Sequence, residues 1–261
     1  MKTLKSLFTP FPYEAVNRNI IIIMYIFELL ALIAIWYTLP DGVPKLDKII
    51  QSYPHVFKDL NFYDELESSF WLCLKALSIS SIICLIIGYL YTVSFFSIFG
   101  FLHSKFRYMA LVGLNMIFAR MGMSPDNLKL SLLVFGMSSF LMVSLLDIID
   151  DKDATKGRIQ MNHARTISKN SWYILWQVVI LGKRDKVITA IGQTFAMSWG
   201  MLTLVENLAR SSGGIGVLMS DSSKLLHFED LFAMQSIVIV VGIIMDLIIS
   251  KFLKKLICPY L

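Results

Sequence analysis

Apolar residues in this chain gather in blocks of roughly 20, separated by polar connections. The blocks predict membrane helices over residues 20–39, 70–99, 106–121, 128–149, 187–209 and 231–256. At a rise of about 1.5 Å per residue, about 20 helical residues cross the roughly 30 Å hydrocarbon layer with every backbone group paired. A barrel would instead show short segments of alternating polarity. The third block is short, and the second is long enough to tilt or to project beyond the bilayer. The predicted fold is therefore all-α and polytopic, with about six transmembrane helices.

The longest connection, about residues 150–186, has a helical pattern of its own. Ala164, Ile167, Ser171 or Trp172, and Leu175 recur at three- and four-residue steps, which makes one face of a helix apolar. Such a piece either fills a groove on a soluble partner or lies on lipid headgroups.

Composition removes the soluble classes. A hydrophobic fraction of 56% against 16% charged residues is unlike a soluble domain, where about a quarter of residues are charged. The net charge of +5 comes from Lys and Arg beside the ends of apolar blocks, where they orient the chain and imply no nucleic acid. Lys2, Lys5 and Arg18 precede the first block, Lys105 and Arg107 join the second to the third, and Lys251, Lys254 and Lys255 follow the last. The 150–186 connection holds the densest basic set, Lys152 to Lys186. The loop over 40–69 is acidic, with Asp41, Asp47, Asp59, Asp64, Glu65 and Glu67, and 210–230 has few basic residues. Both termini are accordingly expected in the cytoplasm. The first apolar block is as long as a span and is followed by no small-residue cleavage site, so it reads as a retained helix. Residues 1–65 then form a tail, a first helix and an external loop, and 66–261 a membrane core.

Catalytic signals are poor. His55, His103, His163 and His227 are scattered, Cys73, Cys84 and Cys258 form no CxxC, and no Walker sequence is present. No catalytic residue, metal site or cofactor is expected on this chain. Ionisable residues inside spans remain as candidates, because each costs roughly 2.5–3.5 kcal/mol to insert and faces protein or water. These are Glu28, Glu206 and Asp246; Lys75 and Arg120 lie near span ends, where they can snorkel. For Glu206, a pathway or dimer-interface contact and a buried structural hydrogen bond are both open. Residues 211–219, SSGGIGVLM, suit either a loop dipping into the mouth of a cavity or an external turn.

The segment 162–181, NHARTISKNSWYILWQVVIL, resembles the cytoplasmic loop of permease subunits of binding-protein-dependent ABC importers. In the nitrate, sulfonate and taurine branch that loop reads like EAARSLGASRWQLFWRVVLP. Ala164, Arg165, Trp172, Trp176, Val178 and Val179 agree, whereas Asn162 stands for Glu, Ser168 for Gly and Leu181 for Pro. Agreement continues with Gly192, Ala196, Trp199 and Glu206, the glycine turn of Gly213, Gly214 and Gly216, and Asp246 before a basic tail. Upstream, Ser69, Gly88, Gly122 and Lys129 fit the start of the family core.

The resemblance implies a type I importer permease fold with a cytoplasmic coupling helix formed by Asn162, Ala164, Arg165, Ser168, Lys169 and Trp172 against an ATPase. It places Trp199, Glu206, Gly213, Gly214, Gly216 and Asp246 at the pathway or dimer interface. It implies a homodimer in a bacterial inner membrane, cytoplasmic ABC ATPase subunits that carry ATP and Mg, and an external solute-binding protein. Alternatives are a secondary carrier or channel using Glu28, Glu206 and Asp246, and a noncatalytic permease-like scaffold.

Overall fold

The computed structural model describes residues 18–38, 42–91, 95–150, 166 and 182–249, and no strand occurs among them. The chain divides into two compact units, Met1–Ser52 and Tyr53–Leu261. The first contains α1 (Arg18–Tyr37) and the start of α2 (Leu46–Lys58). The aliphatic side chains of α1 are exposed all round, as suits a helix surrounded by lipid, and the Trp36 indole donates to the Pro44 carbonyl at 3.1 Å. Glu28 lies on this exposed surface.

The second unit holds α3 (Phe62–Tyr91), α4 (Ser97–Lys105), α5 (Leu111–Arg120), α6 (Pro125–Asp150), α7 (Arg184–Leu208), α8 (Ile215–Lys224) and α9 (Phe228–Leu247). Among the described helices, α3, α6, α7 and α9 are each long and apolar enough to cross a membrane. Helix α6 is central, packed on α3 along one side and α7 along another. Lipid is as apolar as a leucine side chain, so hydrophobicity does not hold these helices together, and close approach does. The buried residues of α3 are mostly small: Ser69, Cys73, Ala76, Ser80, Cys84 and Gly88, with Phe62 and Leu77 beside them. Ser80 Oγ reaches the Val134 carbonyl of α6 at 3.2 Å and Cys84 Sγ the Ser138 carbonyl at 3.1 Å. Cys84 packs with Leu141, Met142, Leu145 and Ala190 in one cluster that joins all three helices.

The return from the end of α3 to the start of α6 differs from the expected short span over 106–121. The chain goes back in two short helices, α4 of 9 residues and α5 of 10, each rising only about 15 Å. Between them run a 3₁₀ turn, Phe106–Tyr108, and extended backbone at Met109 and Ala110. The second apolar block is cut too, since α3 ends at Tyr91 and a new helix begins at Ser97. No proline or glycine marks the break; contacts with α6 set its depth. Phe106 stacks on Phe135 with ring centroids 5.5 Å apart, and a Cβ on Gly136 would lie 3.9 Å from Leu111. Lys105 and Arg107, read from the sequence as an end-of-span connection, therefore sit level with the middle of α6.

Small residues are required where helices touch. Ser80→Leu should lower stability by about 1–3 kcal/mol through overpacking, whereas Ile82→Leu on the exposed side of the same helix should change it little. Thermal unfolding in detergent compares the two, and equal effects would show that the α3–α6 contact is not close-packed.

Candidate functional site

The described polar chemistry concentrates where α3 and α6 begin and α7 ends. After α7 a short 3₁₀ turn, Arg210–Ser212, leads into Gly213 and Gly214, with φ of 72° and 108°. Side chains other than hydrogen rarely adopt such angles. A Cβ on Gly214 would overlap the Glu206 carboxylate, 2.6 Å from Oε1, and one on Gly216 would overlap the Thr203 backbone, 2.6 Å from Cα. Glycine is thus demanded twice, by conformation at 214 and by helix approach at 216.

Because Gly214 begins α8, the N–H groups that follow have no partner within the helix. Neighbouring helices take them in succession. Gly214 N–H donates to Glu65 Oε2 at 2.5 Å, Ile215 N–H to Ser69 Oγ at 3.1 Å, and Gly216 N–H to Glu206 Oε2 at 2.8 Å. Ser69, already accepting from Ile215, donates its hydroxyl proton to Glu206 Oε1 at 2.5 Å. Both oxygens of Glu206 are therefore acceptors, in a side chain only 1% exposed. Lys129, 4% exposed, donates from Nζ to the Gly213 carbonyl at 2.5 Å. It supplies positive charge beside Glu206 and Glu65. Arg210 pairs with Asp221 and ties the turn to the far part of α8.

Two turns earlier on α7, the Trp199 indole donates to the Val238 carbonyl of α9 at 2.9 Å. Its ring packs against Phe70 and Phe195. Gly242 lets the ring in, since a Cβ there would lie 3.0 Å from the indole. At the start of α9, His55 contacts Asp230 at 3.2 Å and Tyr53 bonds Ser236 at 2.6 Å, which fastens the end of α2.

Of the residues singled out in the sequence, the structure joins Glu206, Gly213, Gly214 and Gly216, with Ser69 and Lys129 completing the group. Asp246 is exposed near the other end of α9. The coupling-helix set, Asn162, Ala164, Arg165, Ser168, Lys169 and Trp172, lies outside the described residues. Sequence reasoning missed Glu65 and Gly242. Glu65 counted only as loop acid, although its place four residues before Ser69 put both on one face of α3. Gly242 follows Val238 by four residues, but no pattern announces which helical carbonyl an indole will choose. Among the described residues no group of His, Cys, Asp or Glu suits a metal, and the carboxylates found are engaged in holding backbone.

Glu206→Gln should cost about 1–3 kcal/mol, because one donor of the Ser69 and Gly216 pair loses its acceptor. Paired with Ser69→Ala it should be non-additive by about 0.5–3 kcal/mol, as measured by unfolding in detergent. Additive losses would separate the two residues. Gly214→Ala should cost about 1–3 kcal/mol in backbone strain alone, and Asp246→Asn, away from the group, should be close to neutral in the same measurement.

Compared with solved structures, 78% of this chain superposes on 95% of a chain in the crystal structure of an amino acid ABC transporter with histidines, at a TM-score of 0.61 and 15% sequence identity. No protein-family model matches the sequence, and no curated protein does. The likeness is one of fold: the all-α polytopic architecture of this chain is similar to that of the matched chain of the amino acid ABC transporter.

Proposed function

We propose that this chain is the membrane-spanning subunit of an ATP-driven importer, forming the translocation path for a small solute by alternating access. The observation that carries the reading is the superposition on an ABC transporter chain over nearly all of that chain's length. Basic residues cluster in the connection between α6 and α7, which puts that end in the cytoplasm and the Gly213–Gly216 turn outside. Two copies would face one another across the path. Cytoplasmic ATPases would dock on residues 162–172, and an external binding protein would deliver solute to the α8 end. The sequence resemblance assigns the nitrate, sulfonate and taurine branch, while the structural neighbour is an amino acid transporter. Both solute groups are small and polar.

The carrier reading uses Glu28, Glu206 and Asp246 as ion sites, and the last two do not share one. Trp199 and Val238 are level with each other; Glu206 lies seven residues beyond one and Asp246 eight beyond the other in the opposite sense. The two carboxylates are therefore about 20 Å apart along the bundle, and Glu206 is held by Ser69 and Gly216.

Trp172→Ala should weaken association with the ATPase roughly thirtyfold, the effect of removing a buried aromatic anchor at about 2 kcal/mol. Copurification of the tagged full-length chain with its ATPase, and ATP-driven uptake in proteoliposomes, would measure it. An unchanged association would remove the coupling role from this segment.

A further inference from the structure

Exposed surface on a membrane helix faces lipid, another helix or water, and side-chain chemistry tells which. The exposed side of α9 is mostly aliphatic, Ile239, Val240, Ile243, Ile244 and Leu247, as suits lipid, with Gln235 and Asp246 as its polar members. The exposed side of α7 is different. Thr189, Gln193, Ala196, Gly200, Thr203 and Asn207 recur at steps of four and three residues on one side of the helix, a row of hydroxyl, carboxamide and small groups with the exposed side chains of Met197 and Leu204 beside it. Among the described residues the Gln193 and Asn207 carboxamides have no hydrogen-bond partner. A Cβ placed on Gly200 would meet open space. At its Thr189 end the stripe enters a cavity of about 320 Å³, lined also by Ser144, Asp147 and Asp185.

The break between α4 and α5 adds charge at mid-depth. Leu111, just beyond it, reaches Gly136, and Met201 covers the same glycine, which brings the break level with Gly200. Lys105 Nζ stands 4.8 Å from the Phe101 ring centroid, and Arg107 4.8 Å from that of Tyr108. Arg107 also donates to the Tyr108 hydroxyl at 2.7 Å. Neither cation has a carboxylate partner among the described residues, and Tyr108 is 72% exposed. An unpaired cation level with the middle of a span is costly against lipid and settles where water or an anion reaches it. Extended backbone at that depth is tolerated on the same condition.

We propose that the stripe of α7 is one wall of a water-filled solute path, and that Lys105 and Arg107 at the helix break form a mid-membrane site for the oxyanion of the solute, a carboxylate or sulfonate group. Arg107, held by Tyr108, presents a planar fork that suits such a group, and Lys105 adds a second charge. The stripe supplies neutral donors and acceptors near the break, while Asp147, Asp185 and Lys186 line the cavity at its Thr189 end. This inference rests on the reading of the second unit as part of a transport path.

The test is labelling of single cysteines in the full-length chain in sealed membranes, with unsubstituted protein as background. Cysteine at Gly200, where there is room for it, should react with membrane-impermeant thiol reagents, and Ile243→Cys should not. Relative to their rates with a free thiol in solution, a sulfonate reagent should react with Gly200→Cys about tenfold faster than a quaternary ammonium reagent, the scale of electrostatic focusing in a charged cleft. Adding Lys105→Gln and Arg107→Gln should abolish that preference and leave the labelling. Absence of label at Gly200→Cys, label equal to that at Ile243→Cys, or a disulfide between two copies in place of label would overturn the water-filled wall. A preference absent or reversed in Gly200→Cys with Lys105 and Arg107 intact, or unchanged by the two glutamines, would overturn the oxyanion site. ATPase association is independent of these readouts: a labelled, anion-selective path with no ATPase bound would remove the importer reading alone, and an ATPase-bound chain with unreactive Gly200→Cys would remove this inference alone.

Discussion

Three consecutive backbone N–H groups at the start of α8 have no carbonyl of their own to bond, and the rest of the second unit is arranged around satisfying them. In water a turn of this kind would be solvated. Buried among helices, it needs acceptors carried by protein. Glu65 and Ser69 from α3 and Glu206 from α7 provide them, and Lys129 from α6 holds the carbonyl of Gly213. One turn thereby sets the heights of α3, α6 and α7 relative to one another. A shift of any of them by one residue would leave a buried polar group without a partner, at about 1–3 kcal/mol.

The remaining contacts divide between tight and open. Small residues along α3 draw α6 close, and the Trp199 indole bound to the Val238 carbonyl fixes α9 against α7. These are short-range contacts that either fit or fail. The opposite side of α7 makes no such contacts; its polar stripe and the break between α4 and α5 lie open. A rigid side and an open side on one helix would suit the alternating access proposed above, in which a subunit moves as a body while the face along its path exchanges water for solute.

Charges show the same division. Glu206 and Lys129 are nearly sealed and bonded to backbone and hydroxyl groups, so they stabilise the fold. Lys105 and Arg107 have aromatic neighbours only and keep their hydrogen-bonding capacity. A charge seen in a hydrophobic span is thus not by itself a sign of transport chemistry, and its partners decide.

From the sequence alone, membrane immersion, helical crossing, the polar long connection and the importance of Glu206 with the glycines after Ser212 could be derived, since they follow from hydropathy, the 1.5 Å rise and the cost of a carboxylate or an unpaired turn in hydrocarbon. Glu65 could be found only in part, because its helix begins earlier than the apolar pattern does. The break at Met109 and Ala110 was invisible: both residues are acceptable in a helix, and only contacts of Phe106 with Phe135 and of Leu111 with Gly136 place it at mid-depth. Local periodicity reports which faces are apolar. Which helix each polar side chain meets, and whether a basic pair lies at the rim or in the middle of the bundle, is set by packing between segments far apart in the chain, and only the tertiary structure decided it.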